Sequence, residues 1–136
     1  MRQLVTDSFA PFAERVASAR SDEGPLATLR LLGTSGTVTT LASLHLDLPQ
    51  YDRRAVDGLI VPAGSTRDIR RRLSDMSLAE RQKLACIGRE RADLVIAGCA
   101  ILESILDIWP AVRLGVADRG IREGILRSLI ASNGEG

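Results

Sequence analysis

Aromatic residues are nearly missing from this sequence, which has two Phe, one Tyr and one Trp among 136 residues. Surfaces that hold single-stranded nucleic acid stack bases on aromatic rings beside a basic stripe. The chain has neither feature in bulk, since 18 Lys and Arg against 17 Asp and Glu leave a formal net charge of +1. No nucleic acid is therefore expected as a partner. Histidine and cysteine are equally scarce. His45 stands alone, and Cys86 and Cys99 do not form a C-x-x-C pair, so no protein zinc site is expected and no metal ligand is assigned. Both cysteines lie in apolar stretches and read as small buried hydrophobes of a reduced, cytoplasmic protein; a disulfide is the alternative. The first ten residues carry Arg2 and Asp7 and show no apolar region of the kind that directs export. No membrane association is expected either: the longest apolar stretch, Leu94 to Trp109, is interrupted by Glu103 and Asp107 and reads as a core helix.

What is present is 45% apolar residues in a length that suits one domain. Phe9, Phe12, Val16 and Ala19 recur at three- and four-residue steps and predict an amphipathic helix over 5–19. Residues 21–25 read as a loop. Residues 26–32 read as a short, mostly buried strand stopping at Gly33, with a helix following over 37–46. After a break at 48–52, a short strand is expected within 56–61 and a turn at Pro62-Ala63-Gly64. A helix to Leu73 would start at Ser65, with Asp68 approximating a capping box. Ser77-Leu78-Ala79-Glu80 is the stronger capping box and predicts a helix to about Ile87. Gly88 then separates it from a long helix over 89–108, apolar on nearly every face and expected to be the central packed helix. A strand over 112–117, a helix over 121–130 and a frayed tail over 132–136 close the chain. Helices alternating with short buried strands give an α/β layer structure with a small, partly parallel sheet.

Two strand-to-helix turns carry the candidate chemistry. In Gly33-Thr34-Ser35-Gly36-Thr37, backbone N–H groups and hydroxyls can converge on an anion, and the glycines allow close approach. The run lacks the Gly-Lys-Ser/Thr ending of a Walker A loop, which excludes a P-loop NTPase. Taken alone, such a turn is more often a plain helix cap. The second turn, Asp118-Arg119-Gly120, offers Asp118 as a cap, Gly120 as a pivot and Arg122 within reach of a bound phosphate. An Arg122–Glu123 surface ion pair would look the same in sequence. Arg67, Arg70 and Arg71 share a helical face that reads as solvated, with polyanion binding as the lesser alternative. His45 has no acidic partner that would mark a catalytic base and reads as a capping or partly buried residue. Glu103 has no second carboxylate beside it and is expected at a solvent gap.

Together, Gly33-Thr34-Ser35-Gly36-Thr37, Tyr51-Asp52, Glu80-Arg81, Glu90-Arg91-Ala92-Asp93 with Ala97-Gly98, and Asp118-Arg119-Gly120-Ile121-Arg122-Glu123-Gly124 resemble, in that order, the Ppx/GppA phosphatase family. That family comprises exopolyphosphatases and guanosine pentaphosphate phosphohydrolases of the actin-like (ribonuclease H-like) ATPase fold. The resemblance spans nearly the whole chain and implies a single domain over 1–136, the carboxyl-terminal portion of the second actin-like half. It implies phosphate-binding roles for Gly33, Thr34, Ser35, Gly36, Thr37 and Arg122. It also implies polyphosphate or pppGpp as substrate, and Mg2+ as cofactor with no ligand assignable in this chain. The family's D-x-G-x-N-S and D-x-G-G-G-S elements and its catalytic glutamate do not occur between Met1 and Gly136. The resemblance therefore implies no catalytic residue here, a missing amino-terminal half as partner, Met1 as an expression or truncation boundary with a native start as the alternative, and no turnover by the chain alone. An exposed half-interface would also invite a homodimer. The alternatives are a non-catalytic phosphate- or nucleotide-binding regulatory module and, within the same fold, a sugar or acetate kinase, against which the closing Asp-Arg-Gly…Arg-Glu-Gly run argues.

Overall fold

The computed structural model of the chain describes residues 2–20, 30–34 and 36–133. Its centre is a three-stranded sheet of β1 (Leu31–Gly33), β3 (Arg113–Val116) and β2 (Ile60–Pro62) in the order β1-β3-β2. β1 runs parallel to β3, with Leu31 opposite Leu114 and Gly33 opposite Val116, and β2 runs antiparallel, with Val61 opposite Leu114. The expected partly parallel sheet is present. Pro62 is tolerated because β2 is an edge strand and ends there. β1 is not the mostly buried strand expected: Leu32 is 69% exposed, pointing away from the face that Leu114 and Val116 bury. Residues 21–29, which hold the predicted loop and the start of that strand, lie outside the described residues.

Helix α2 (Gly36–His45) is the buried centre, with every residue from Val38 to Leu44 shielded from solvent. Its interior hydroxyls are satisfied locally: Thr39 donates to the Gly36 carbonyl at 3.1 Å and Ser43 to the Thr39 carbonyl at 3.0 Å. The long apolar helix α6 (Leu94–Ile108) was expected to hold that place. Instead it lies to one side, burying Val95, Cys99, Leu102 and Leu106 and leaving Leu94 and Ile101 exposed. It also begins later than expected, because residues 89–91 form a separate 3-10 turn after Gly88, whose φ of 73° ends the preceding run.

Residues 53–56 form one helical turn, α3 (Arg53–Val56), capped by Asp52. Helix α4 (Ala63–Asp75) starts directly from β2, so the Pro62-Ala63-Gly64 turn and the Ser65 cap do not occur; Pro62 precedes it without a side-chain cap. Pro suits that place because it has no N–H to satisfy at a helix start. Helix α5 (Leu78–Lys83) has the full capping box between Ser77 and Glu80 but stops short of the expected Ile87. α1 (Arg2–Ala19) buries nothing and docks on α6, where Phe9 and Phe12 meet the Trp109 ring edge-on at centroid distances of 5.8 and 5.7 Å. α7 (Ile121–Asn133) continues through residues 132 and 133, which were expected to fray; residues 134–136 are outside the described set. No helix among the described residues is long and apolar enough to cross a membrane.

The arginine face of α4 is solvent-exposed as expected, with Arg67 half-exposed and Arg71 more so, but Arg67 and Arg70 are also paired across to α6. Arg70 Nε donates to Glu103 Oε1 at 2.6 Å, Arg67 reaches Asp107 at 3.1 Å, and Arg2 pairs with both carboxylates. Glu103 is only 3% exposed, so the expected solvent gap is absent and the carboxylate is instead a buried clamp joining α1, α4 and α6. Cys86 and Cys99 are both free thiols, which removes the disulfide alternative.

Candidate functional site

Parallel pairing of β1 and β3 puts the carboxyl ends of both strands at one edge of the sheet, and the two predicted turns leave from there. They touch: the Ala117 N–H donates to the Gly33 carbonyl at 2.9 Å. In open α/β sheets this edge is where ligands bind.

At the first turn the chain reverses so sharply that α2 lies against the end of β1. A Cβ on Gly33 would stand 2.6 Å from Val38 Cγ2, which makes glycine a packing requirement there. Gly33 and Thr34 line an apolar cavity of about 320 Å³ with Ile101, Leu102 and Ile105 of α6. Gly36 opens α2, and Thr37 faces both that cavity and a second one beside Arg91. Ser35 lies outside the described residues.

The cation at this site is not one the sequence suggested. Arg91, on the 3-10 turn, brings its guanidinium so close that Nη1 would lie 3.2 Å from a Cβ at Gly36. No ion pair engages Arg91 among the described residues. Arg81 fixes the segment that carries it, donating to the carbonyls of Leu73 (3.0 Å), Met76 (2.7 Å) and Ala92 (3.2 Å). A helix N-terminus projects unsatisfied N–H groups and partial positive charge, so a guanidinium beside Gly36 adds to a field that favours an anion. The cavity on this side encloses about 450 Å³, and Tyr51, Cys86 and Asp118 complete its wall beyond Gly36, Thr39, Thr40 and Arg91. Arg122 is exposed on the first turn of α7 and is not among those lining residues.

The second turn is tied down rather than free. Asp118 does not cap α7. Its carboxylate pairs with Arg53 Nε at 3.1 Å, its carbonyl accepts from Arg53 Nη2 at 2.5 Å, and its N–H donates to Asp57 Oδ1 at 2.9 Å. Arg119 donates to the same Asp57 at 3.1 Å. The capping role falls to Glu123, which accepts from the Gly120 N–H at 2.8 Å. Tyr51 also donates to Asp118; burial first, then that hydrogen bond and the adjacent negative charge, push its phenol up to about 12. Asp57 and Glu123 are held below the usual carboxylate range, chiefly by the backbone N–H groups of Asp118 and Gly120. His45, at the exposed end of α2, has no part in the site.

A family model matches residues 2–133, that of the Ppx/GppA phosphatase family. The chain belongs to the Ppx/GppA phosphatase family. Exopolyphosphatase 2 of Mycobacterium tuberculosis is 29% identical over 133 residues, covering 94% of this chain and 39% of that protein. The Aquifex aeolicus Ppx/GppA family member superposes with a TM-score of 0.73 at 27% identity, over 93% of this chain and 42% of that one. An exopolyphosphatase from Cytophaga hutchinsonii, at 21% identity, shares the fold with a TM-score of 0.71 over 96% of this chain and 42% of its own. The chain thus spans about two-fifths of the length of these relatives. Its fold is the mixed α/β, actin-like arrangement expected.

The magnesium that the family resemblance implies finds no ligand set here. Among the described residues no three His, Cys, Asp or Glu side chains cluster to hold a metal ion, and Asp118, the carboxylate in the cavity wall, is already committed to Arg53 and Tyr51.

Proposed function

We propose that this chain forms one wall of the phosphate-binding cleft of a phosphohydrolase that releases terminal phosphate from inorganic polyphosphate or pppGpp. The observation that carries the reading is the Arg91 guanidinium lying over Gly36 at the start of α2, a fixed cation against a helix N-terminus. Thr34, Thr37 and the turn amides are the hydroxyl and N–H donors of that cleft, and Arg122 is a second cation at its border. Ser35 belongs to the same turn. Phosphoryl transfer depends on positioning and on charge neutralised from several sides. With no uncommitted carboxylate among the described residues of the cavity wall to activate water, the chain binds phosphate and hydrolyses nothing by itself. Any magnesium would be held by groups other than those of the cavity wall.

Calorimetric titration with inorganic tripolyphosphate tests the binding. Arg91→Ala is expected to weaken it by about tenfold, the loss of one charge-assisted contact. Arg122→Ala, at the border, should weaken it less. Equal binding by wild type and Arg91→Ala would remove the site, and phosphate release from tripolyphosphate by the wild-type chain above a buffer control would remove the claim of inactivity. A non-catalytic phosphate-binding module is the second reading, favoured by the full commitment of Asp118. Release of phosphate from polyphosphate or pppGpp by the protein in its natural length decides between them.

A further inference from the structure

A buried hydroxyl on a helix normally closes on a carbonyl of the preceding turn. Among the described residues, Thr39, Thr40, Ser43, Thr66 and Ser104 carry buried hydroxyls. Thr39 donates to the Gly36 carbonyl at 3.1 Å, Ser43 to Thr39 at 3.0 Å, Thr66 to Ala63 at 2.7 Å and Ser104 to Ala100 at 2.9 Å. Thr40 is the exception to this local pairing. It is 3% exposed, yet its hydroxyl has no hydrogen-bond partner among the described residues. The carbonyl four residues back, that of Gly36, already accepts from Thr39. Val38, Leu41 and Ala42 beside it are buried and apolar, and valine would fill the place of Thr40 with the same shape and no donor to satisfy.

The Thr40 oxygen is not sealed inside the protein. Thr40 lines the 450 Å³ cavity together with Gly36 and Arg91, and the same three residues line a second cavity of about 280 Å³ on the side of Leu94 and Val95. They form the seam between the two. Gly36 and Thr40 stand on one face of α2, one turn and about 6 Å apart along the axis. The Arg91 guanidinium lies over the first of them.

A neutral donor, a cation without an ion pair and a helix start with free N–H groups thus face one seam. A cationic ligand is repelled there by Arg91, whereas an oxyanion, with several acceptor oxygens, can take all three donors. We propose that Thr40 is a ligand-contacting residue whose hydroxyl donates to the same oxyanion that Arg91 and the start of α2 hold, with that group seated at the seam. The proposal rests on the phosphate reading of the cleft. Water meets the hydroxyl in the free chain, and the oxyanion displaces it.

The test combines calorimetric titration with inorganic tripolyphosphate and melting temperatures on three variants. Thr40→Val keeps the shape and removes the donor. It should bind about tenfold more weakly, the worth of a hydrogen bond to a charged group, while melting at the wild-type temperature or above it. Thr40→Ser restores the donor and should recover most of the affinity. Thr66→Val breaks a paired hydroxyl away from the seam and should melt lower while binding as wild type does. Joined to Arg91→Ala, Thr40→Val should cost less than the product of the two separate losses, because both residues hold one anion. Unchanged affinity in Thr40→Val, equal losses in Thr40→Val and Thr40→Ser, or a melting temperature in Thr40→Val as low as in Thr66→Val overturns the assignment. If Arg91→Ala still weakens binding in those cases, the phosphate reading survives without Thr40. Failure of the wild-type chain to bind tripolyphosphate removes both.

Discussion

Replacing Gly98 by alanine adds one methyl group where α6 crosses the first turn of α2. A Cβ there would lie 2.4 Å from Thr37 Oγ1, 2.8 Å from Cγ2 and 3.1 Å from Thr37 Cβ. Rotating Thr37 about χ1 gives little relief, because both heavy branches already fall inside contact distance and a β-branched residue has few rotamers. The helices must move apart instead. Overpacking of this kind costs roughly 1–3 kcal/mol, and the better helix propensity of alanine returns about 1 kcal/mol. The net expectation is a loss of about 1 kcal/mol, the middle of the first range less the second effect. With an unfolding entropy of roughly 2.1 cal/mol/K per residue, 136 residues convert that to a fall in melting temperature of about 3–4 °C. Gly124→Ala is the control: it is also helical, and nothing lies within 4 Å of its added Cβ. It should gain about 0.5–1 kcal/mol. Differential scanning calorimetry on the two variants reads opposite signs for the same chemical change. A Gly98→Ala protein as stable as wild type would refute the close crossing of α6 and Thr37, and with it the placement of the α2 N-terminus. Because Thr37 must shift, tripolyphosphate binding should weaken along with stability.

The salt-bridge assignments separate cleanly in denaturant. Arg70→Ala leaves the buried Glu103 with Arg2 alone at 3.7 Å and should cost about 3 kcal/mol, whereas Arg71→Ala, which breaks only an exposed pair with Asp68, should cost less than about 0.5 kcal/mol. Comparable urea midpoints for the two would contradict the buried clamp. Asp118→Asn should bring the Tyr51 titration down from about 12 toward 10.0 without reaching it, since burial is the larger cause; absorbance of the phenolate follows it directly. The sign of the linked stability follows from a raised folded pKa: the contribution is complete below pH 10 and is lost as pH rises through about 12. Asp57, Glu80 and Glu123 give the opposite limb. Their carboxyls are depressed in the folded chain, so their stabilisation is present above the ordinary values of 3.8 and 4.5 and fades as pH falls below them; Ser77→Ala should reduce the Glu80 share of that acid dependence without abolishing it, since the hydroxyl is the larger cause and the backbone N–H still donates to Glu80.

Local signals were enough for several elements. The Ser77–Glu80 capping box, the strand before Asp118 and the helix over 37–46 follow from periodicity and from residues that punctuate it. The errors share a cause. Helix α6 is more apolar than α2, yet α2 is buried on all sides because the sheet, α4 and α6 surround it, and burial is a tertiary property. The pairing of Arg67 and Arg70 of α4, which keep solvent contact, shows only once Glu103 and Asp107 of α6 are placed opposite them. Arg122 follows a recognisable turn, whereas Arg91 carries no such local signal. Arg91 comes to Gly36 through the fold, on a segment that Arg81 ties to the carbonyls of Leu73, Met76 and Ala92.

The convergence at the site follows from one topological fact. β1 and β3 are adjacent and parallel, so the turns that follow them must leave from the same edge, whatever their sequences. Antiparallel β2 then delivers Asp57, just ahead of its first residue, to that same edge, where it binds the Asp118 N–H and Arg119. Arg53 anchors Asp118 from α3. The second turn is consequently a brace with its charges spent internally, and the first turn, with Arg91 above Gly36, keeps a cation for something outside the chain. On the function proposed above, a cleft wall built this way would hold the terminal phosphates rigidly, and because its carboxylate among the described residues, Asp118, is already paired, the group that activates water would approach from the opposite side of the ligand.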